Sequence, residues 1–404
     1  MTLYFRLLAF ILIGTSYTLL PITPPDKTNI KVLLKEIDPS SSEKISFSSA
    51  HGIIVDTKED GHAKRSYFFK NGATIKVDKN SQYLNNKKIS THHPIRINAF
   101  DGHIKYNHDD YFGTFYIVLY KGKILLINKV ELEDYIYSVL RAESWPGWPL
   151  EVNKVFAVTC RSYVIKKVLE SRKSKKPFHI KNSNIHQTYR GIRHNNIHKQ
   201  AVDETAGMFL GYDNQPIAAM FDCCCGGVIP ANINGKLSGV DFKKAPYLAR
   251  KQACTYCKKC KIFNWGFELP IKEFERRFST LIPELNGLTD ITIAEKDKAG
   301  LNHKLTLHFG DNRKKIIEEK KLYKLFKEVK SAVFTITPKK HTLAIKGQGY
   351  GHHLGLCQWG AWQMVKDGWT YTRILHFFYP GTTFMRLQYK DDNDDEYLTN
   401  NVSS

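Results

Sequence analysis

Apolar side chains recur at Leu132, Tyr135, Ile136, Val139 and Leu140, the i, i+3, i+4, i+7, i+8 spacing of one helix face. The next position on that face is Glu143, a carboxylate where the pattern calls for Leu or Val. Glu133 and Asp134 fall in the first turn of this helix, where negative charge suits the macrodipole. Pro146 ends it, because the residue before a proline is pushed out of the helical region. Pro149 suits the start of a second helix, predicted to run to about Arg172 with Val152, Val155, Phe156, Thr159 and Tyr163 on one side. Between the two lies a stiff aromatic elbow, Ser144-Trp145-Pro146-Gly147-Trp148-Pro149. A carboxyl on the buried side of a helix end, beside indoles, is costly unless it is ion-paired, protonated or reactive. Glu143 is therefore either a salt-bridged structural residue, with Arg141 or Arg161 as partner, or a catalytic acid/base.

Upstream the period shortens to two. Strands are expected at Ile30 to Ile37, Ile45 to Asp56, Tyr67 to Val77 and Ile95 to Ala99, then in a hairpin of Phe115 to Tyr120 and Lys123 to Asn128 joined at Lys121-Gly122. Downstream, residues 170–200 are rich in Lys, Arg, Asn and His and read as a solvated loop, and Asp203 to Met220 resumes β-like character. Residues 262–340 read as an α+β segment. Its expected helices lie near Ile271 to Leu281 and Leu322 to Val329, its strands near Asp290 to Ala294 and Lys304 to Phe309. The expected fold class is α+β: a β-rich N-terminal region followed by a mixed α/β catalytic core with an inserted α+β segment. The expected boundaries are 21–120 for the β-rich region, 121–261 and 341–386 for the two parts of the core, and 262–340 for the segment between them.

Both ends of the chain carry their own signals. Arg6 followed by Leu7-Leu8-Ala9-Phe10-Ile11-Leu12-Ile13 reads as a secretory signal over residues 1–20, with an uncleaved membrane anchor as the alternative. Export to the periplasm or cell envelope is expected. Residues 387–404 form an acidic tail around Asp391-Asp392-Asn393-Asp394-Asp395-Glu396. Among the 404 residues, 60 Lys and Arg against 39 Asp and Glu give a net charge of +21, a field that favours an anionic partner. No zinc-finger, zipper or RNA-binding sheet pattern accompanies it, so nucleic acid is not expected.

Six of the eight cysteines crowd into Cys223 to Cys260. Cys223-Cys224-Cys225 and the C-x-x-C-x-x-C run of Cys254, Cys257 and Cys260 argue for one local device. Two chemistries fit equally: a structural zinc site drawing on Cys224, Cys225, Cys254, Cys257 and Cys260, or disulfides between the two clusters in an exported protein. Cys357 reads as packing.

Two blocks resemble a known family. LEDYIYSVLRAESW at 132–145, continuing through the Glu143 to Arg161 spacing, and GQGYGHHLGLCQWGA at 347–361 resemble the paired signatures of the stage II sporulation protein D / amidase-enhancer family. The resemblance implies a lytic transglycosylase acting on peptidoglycan glycan strands whose stem peptides an amidase has removed, and hence a functional partnership with an amidase. It implies Glu143 as the catalytic acid/base, Arg161 in the same cleft, and Tyr189, His352 and Gln358 as substrate-binding residues; Trp145 and Trp148, a rigid aromatic surface beside the acid, read as substrate-binding residues of a sugar cleft or as packing. The chemistry needs no cofactor, since one carboxyl can protonate the leaving oxygen and then deprotonate the sugar's own 6-hydroxyl. A glycan-binding module that stimulates an amidase without cleaving is the competing reading. The family's zinc loop does not carry over, because His186 stands where its cysteine belongs.

Overall fold

The computed structural model describes residues 29–387 apart from 59–62, 79, 184–185, 234–235, 238 and 284. The expected signal and nearly all of the acidic tail lie outside the described residues. The fold is α+β with a β-rich N-terminal region.

That region is two facing sheets, antiparallel except where Ile180–Lys181 joins Asn29–Ile37 in parallel. In the first, the strands run in the order Ile180–Lys181, Asn29–Ile37, Lys123–Glu131, Thr114–Tyr120, Ile95–Ala99, Ile53–Lys58, Lys64–Phe69. The second is ordered Asp109–Tyr111, Ile104–Tyr106, Glu43–Ser48, Ala73–Asp78, Ser81–Leu84, Lys87–Ile89. Period-two patterning supplies the interior, where Ile45, Phe47, Ile75 and Val77 of one sheet share a core with Ile53, Val55, Ile97, Phe115 and Ile117 of the other. Two of the long strands expected from the sequence are each broken. The run Ile45 to Asp56 turns at Gly52 (φ +94°) and Tyr67 to Val77 turns at Gly72 (φ +91°), and each break carries the chain from one sheet to the other. At Gly72 a side chain would meet the Phe47 carbonyl oxygen at 2.3 Å, so the crossing requires glycine.

The core that follows is built on a buried helix. Helix α1 spans Leu132–Glu143 and α2 spans Leu150–Ser174, with Pro149 as the N-cap of α2. Val152, Val155, Phe156, Ala157, Val158, Thr159, Cys160, Arg161 and Ser162 are all essentially inaccessible. A helix apolar on nearly every side must lie inside, and α2 is surrounded accordingly. Around it pack α1, α3 (Asn196–Glu204), strand Met208–Tyr212, α6 (Gln358–Lys366) and α7 (Tyr371–Phe378), while α4 (Ile271–Ser279) and α5 (Lys320–Leu325) belong elsewhere. Helix α3 begins inside the stretch expected to be a solvated loop. Asn195 caps it by accepting a hydrogen bond from His198 N, a start signal that the surrounding polar composition obscures.

The two halves of the core are knit by short pairings: Met208–Tyr212 with Thr383–Arg386, and Phe221–Asp222 in parallel with Leu356–Cys357. Between them an inserted segment carries α4, α5 and two three-stranded sheets. Its separate core is formed by Phe274, Phe278, Leu305, Leu307, Phe326 and Ile345. The sheet that joins this segment to the core pairs Asn264–Pro270 with Thr342–Gln348, so the segment extends through Gln348. No described helix is long and apolar enough to cross a membrane.

Candidate active site at the end of helix α1

Glu143 is the last residue of α1, and the chain turns immediately, with Ser144 N donating back to Leu140 O at 2.9 Å. The elbow closes through Trp148 N to Trp145 O at 3.2 Å. Asn153, buried one turn into α2, donates to the Trp148 and Pro149 carbonyls at 2.9 and 3.0 Å and fixes the elbow from beneath. The result is a rigid wall. Trp145 stacks on Trp148 (6.4 Å, 26°), and both meet Trp359 edge-on at 5.6 and 5.8 Å. Trp145 keeps 46% of its surface exposed whereas Trp148 keeps 5%. Trp145 therefore presents the open aromatic face; Trp148 packs between Phe156 and Trp359 rather than offering itself to a substrate.

The carboxyl of Glu143 is mostly enclosed. Oε1 accepts a hydrogen bond from Thr188 N at 2.7 Å. Burial pushes its pKa above the ordinary carboxylate range, against the Thr188 hydrogen bonds that favour the charged form. Among the described residues Glu143 forms no ion pair. Arg141 binds Asp109 at 2.8 Å, and Arg161 binds Glu133. The salt-bridged alternative is thus excluded by where the two arginines go.

Segment 187–189 reaches Glu143 because its side chains are anchored on both sides. Gln187, 1% exposed, accepts from Tyr135 Oη at 2.8 Å and donates to Cys160 O at 3.2 Å. Tyr189 N donates to Asn182 Oδ1 at 2.8 Å. From the other side Gln358, at the first turn of α6, donates from Nε2 to Glu143 O at 3.4 Å. The two sequence blocks, more than two hundred residues apart, therefore meet at one residue. Gln187, Thr188, Asn153 and Trp359 carry no signal in the sequence, because each acts through a tertiary contact that periodicity does not encode.

Besides Trp148, three expected site residues have other roles. Arg161 is fully buried and faces strand Met208–Tyr212, not Glu143. Its Nε and Nη2 bind Glu133 at 3.1 and 2.6 Å and its Nη1 donates to Met208 O at 2.9 Å. A guanidinium with its fork taken up in this way is a structural brace. Tyr189 is also inaccessible; its hydroxyl donates to Asn128 Oδ1 at 2.7 Å and its ring stacks on Tyr135 at 5.3 Å, so it is core and not a sugar platform. His352 accepts from Leu354 N at 3.1 Å and burial holds its pKa down at about 4, so it is a neutral residue fixing the glycine-rich turn. Its neighbour His353, at φ +65°, donates its backbone N–H to Asp222 Oδ2 at 2.7 Å and anchors the same turn.

All the cysteines but Cys160 gather behind this turn, and none of the eight is joined in a disulfide. The quartet whose sulfurs lie within 4.8 Å of one another is Cys225, Cys254, Cys257 and Cys357, all buried. Cys357, expected to be mere packing, belongs to it because the Phe221–Asp222/Leu356–Cys357 pairing draws the start of α6 onto the cysteine loop. Cys224 and Cys260 interact with one another beside the quartet and are not part of it. The family-type zinc loop holds no comparable group among the described residues: His179 Nδ1 accepts from Lys31 N at 3.1 Å, and His186 Nδ1 lies 3.1 Å from the Tyr163 hydroxyl.

Comparison with known proteins agrees with the placement of these blocks. A family model described as stage II sporulation protein matches residues 120–212, which contain α1, the elbow, α2 and the segment Gln187–Tyr189. An uncharacterized protein of Brachyspira hyodysenteriae is 30% identical over 273 residues, covering 67% of this chain and 71% of that one. An amidase enhancer of Bacillus subtilis is 24% identical over 373 residues, covering 78% of this chain and half (50%) of that protein. The stage II sporulation protein D of the same organism is 23% identical over 284 residues, covering 66% of this chain and 78% of its own length.

Proposed function

Because the chain belongs to the stage II sporulation protein D / amidase-enhancer family, with a role at the cell wall, we propose that it is a lytic transglycosylase of peptidoglycan glycan strands. The observation that carries the reading is Glu143: a largely enclosed carboxyl whose pKa burial raises and which forms no ion pair among the described residues. Such a group is an acid suited to protonating a glycosidic oxygen.

In this reading a strand lies along the Trp145 face with a MurNAc–GlcNAc bond over Glu143. Glu143 gives its proton to the bridging oxygen as the bond to the anomeric carbon breaks. The resulting carboxylate takes the proton of the same MurNAc's 6-hydroxyl, and that oxygen closes on the anomeric carbon. The products are a 1,6-anhydro end and a free GlcNAc hydroxyl, with no water consumed and Glu143 protonated again. A hydrolase would call for a second carboxylate on the opposite face, whereas intramolecular attack needs one. Thr188 N–H stabilises the carboxylate midway, and such a charge-assisted bond contributes about 1.5–3 kcal/mol. Strands stripped of peptides expose lactyl carboxylates, and a chain of net charge +21 attracts them. Export to the envelope, by a cleaved signal or with an N-terminal anchor, brings the protein to that substrate.

A second reading draws on the relative named as an amidase enhancer: the chain binds strands and stimulates an amidase without cutting. Purified protein incubated with amidase-stripped strands separates the two by mass spectrometry. The first reading expects anhydro-MurNAc ends that vanish in Glu143→Gln. Strand binding without cleavage would favour the second, and reducing-end MurNAc would mean a hydrolase.

A further inference from the structure

The four thiols of the quartet come from three separate places in the chain. Cys225 follows strand Phe221–Asp222, Cys254 and Cys257 flank the start of the short 3-10 helix Tyr256–Lys259, and Cys357 caps α6. Burying four thiols against each other yields little by hydrophobic packing alone, yet the local backbone is shaped around them. Gly226 and Gly227 take φ of +61° and +79°, folding the chain tightly after Cys225. At Gly360 a side chain would meet Cys254 Sγ at 2.7 Å, so only glycine leaves room for the sulfur. Cys357 Sγ accepts two backbone N–H bonds, from Cys225 and Gly360, each at 3.3 Å. The Cys357 sulfur therefore sits at the start of α6 with two backbone amides directed at it.

The spacing identifies what such a set can hold. Four thiolates around one zinc ion at about 2.3 Å have sulfur–sulfur edges of about 3.8 Å. Here Cys225 and Cys257 are 3.7 Å apart and all four sulfurs fall within 4.8 Å. A disulfide would require about 2.05 Å. A cubane cluster would spread its thiolates wider, since each binds a different iron.

We propose that Cys225, Cys254, Cys257 and Cys357 bind a single zinc ion that clamps the cysteine loop to the start of α6. The residue after Cys357 is Gln358, whose amide reaches Glu143 O. The ion is therefore a cross-link that keeps the C-terminal block seated on the end of α1, outside the chemistry itself. Enclosure of all four sulfurs shields them from oxidation even in an oxidising compartment. This assignment rests on the sulfur geometry and stands apart from the transglycosylase reading.

The test uses the full chain purified without added zinc. Elemental analysis is expected to give about one zinc per chain, as for a structural tetrathiolate site. Cobalt-exchanged protein is expected to show sulfur-to-metal charge transfer and the intense visible bands of tetrahedral thiolate coordination. Cys254→Ser and Cys357→Ser should each drop the metal to near zero, while Cys223→Ser should keep it. Chelation should speed amide exchange over 358–366. Metal-free protein with the quartet joined in disulfides would overturn the proposal, as would two zinc ions per chain or iron with acid-labile sulfide. The cobalt spectrum is read on the unmodified chain, so a variant that fails to fold does not decide the outcome.

Discussion

Replacing Arg161 with Met tests whether this residue braces the fold or acts in the cleft. The substitution removes three hydrogen bonds, two to Glu133 and one to Met208 O, from a side chain with no solvent exposure. Breaking a buried ion pair from one side costs about 3–5 kcal/mol, because the remaining charge is stranded. Glu133 keeps 29% of its side chain exposed and still accepts from Gly207 N, so it can be partly rehydrated. The lower end, about 3 kcal/mol, is therefore expected. Removing both partners in Glu133→Gln/Arg161→Met should recover part of the loss, with a coupling of about 1–3 kcal/mol as is usual for residues in contact. Denaturant midpoints of the four proteins give the stability side of the cycle. Strand cleavage per folded molecule gives the other side, and it should change by less than about tenfold, equivalent to 1.4 kcal/mol of barrier. An Arg161→Met protein with an unchanged midpoint and no activity would refute the brace and return Arg161 to the cleft.

Glu143→Gln should lower strand cleavage by about 10²–10⁴-fold while leaving strand binding intact, measured by product mass spectrometry and co-sedimentation. Its pKa is raised in the folded state, so kcat/KM should fall as pH rises through that pKa and the acid is lost. The same shift makes ionisation of Glu143 unfavourable to folding: the stabilisation it gives as a neutral acid is complete below the unfolded pKa and is lost as pH rises through the folded one. Glu143→Gln should accordingly be at least as stable as the parent at neutral pH, and a large loss of stability there would contradict the reading. Trp145→Ala removes the exposed ring; with aromatic contacts contributing about 0.5–1.5 kcal/mol, KM for strands should rise by several-fold with little change in stability. Tyr189→Phe removes a buried hydroxyl bound to Asn128, so it should lower stability by about 1 kcal/mol and leave KM alone.

The sequence made α1, the elbow and α2 readable because an apolar stripe interrupted by one acid, followed by two prolines, has few physical solutions. It also brought out Glu143, but not its surroundings. Whether its neighbour was Arg141, Arg161 or neither depended on which way two long side chains turned, and Asp109 and Glu133 decided that from other elements. Thr188 reaches Glu143 with its backbone N–H and its hydroxyl from an irregular segment, whose approach no periodicity encodes. The strands broken at Gly52 and Gly72 show the same limit: period two continues across both breaks although the sheet changes. Among the cysteines, C-x-x-C spacing located Cys254 and Cys257, while Cys357 joined them through a parallel pairing that only the tertiary fold provides.

The inserted segment leaves the core and re-enters it at one point. Asn264 pairs with Gln348, and Gly349 N donates to Phe263 O at 2.7 Å. Two antiparallel strands side by side form a stem, and everything beyond that stem closes a loop whose entropic cost grows only slowly with its length. The segment folds around its own phenylalanine-rich interior, and its Leu301 packs with Val228, Ile233 and Leu354 of the core. A graft is therefore tolerated here: descendants of this chain can lengthen, shrink or exchange what lies beyond the stem while the end of α1 keeps its shape. Diversity among such proteins should accumulate on this branch of the molecule, and constancy around Glu143.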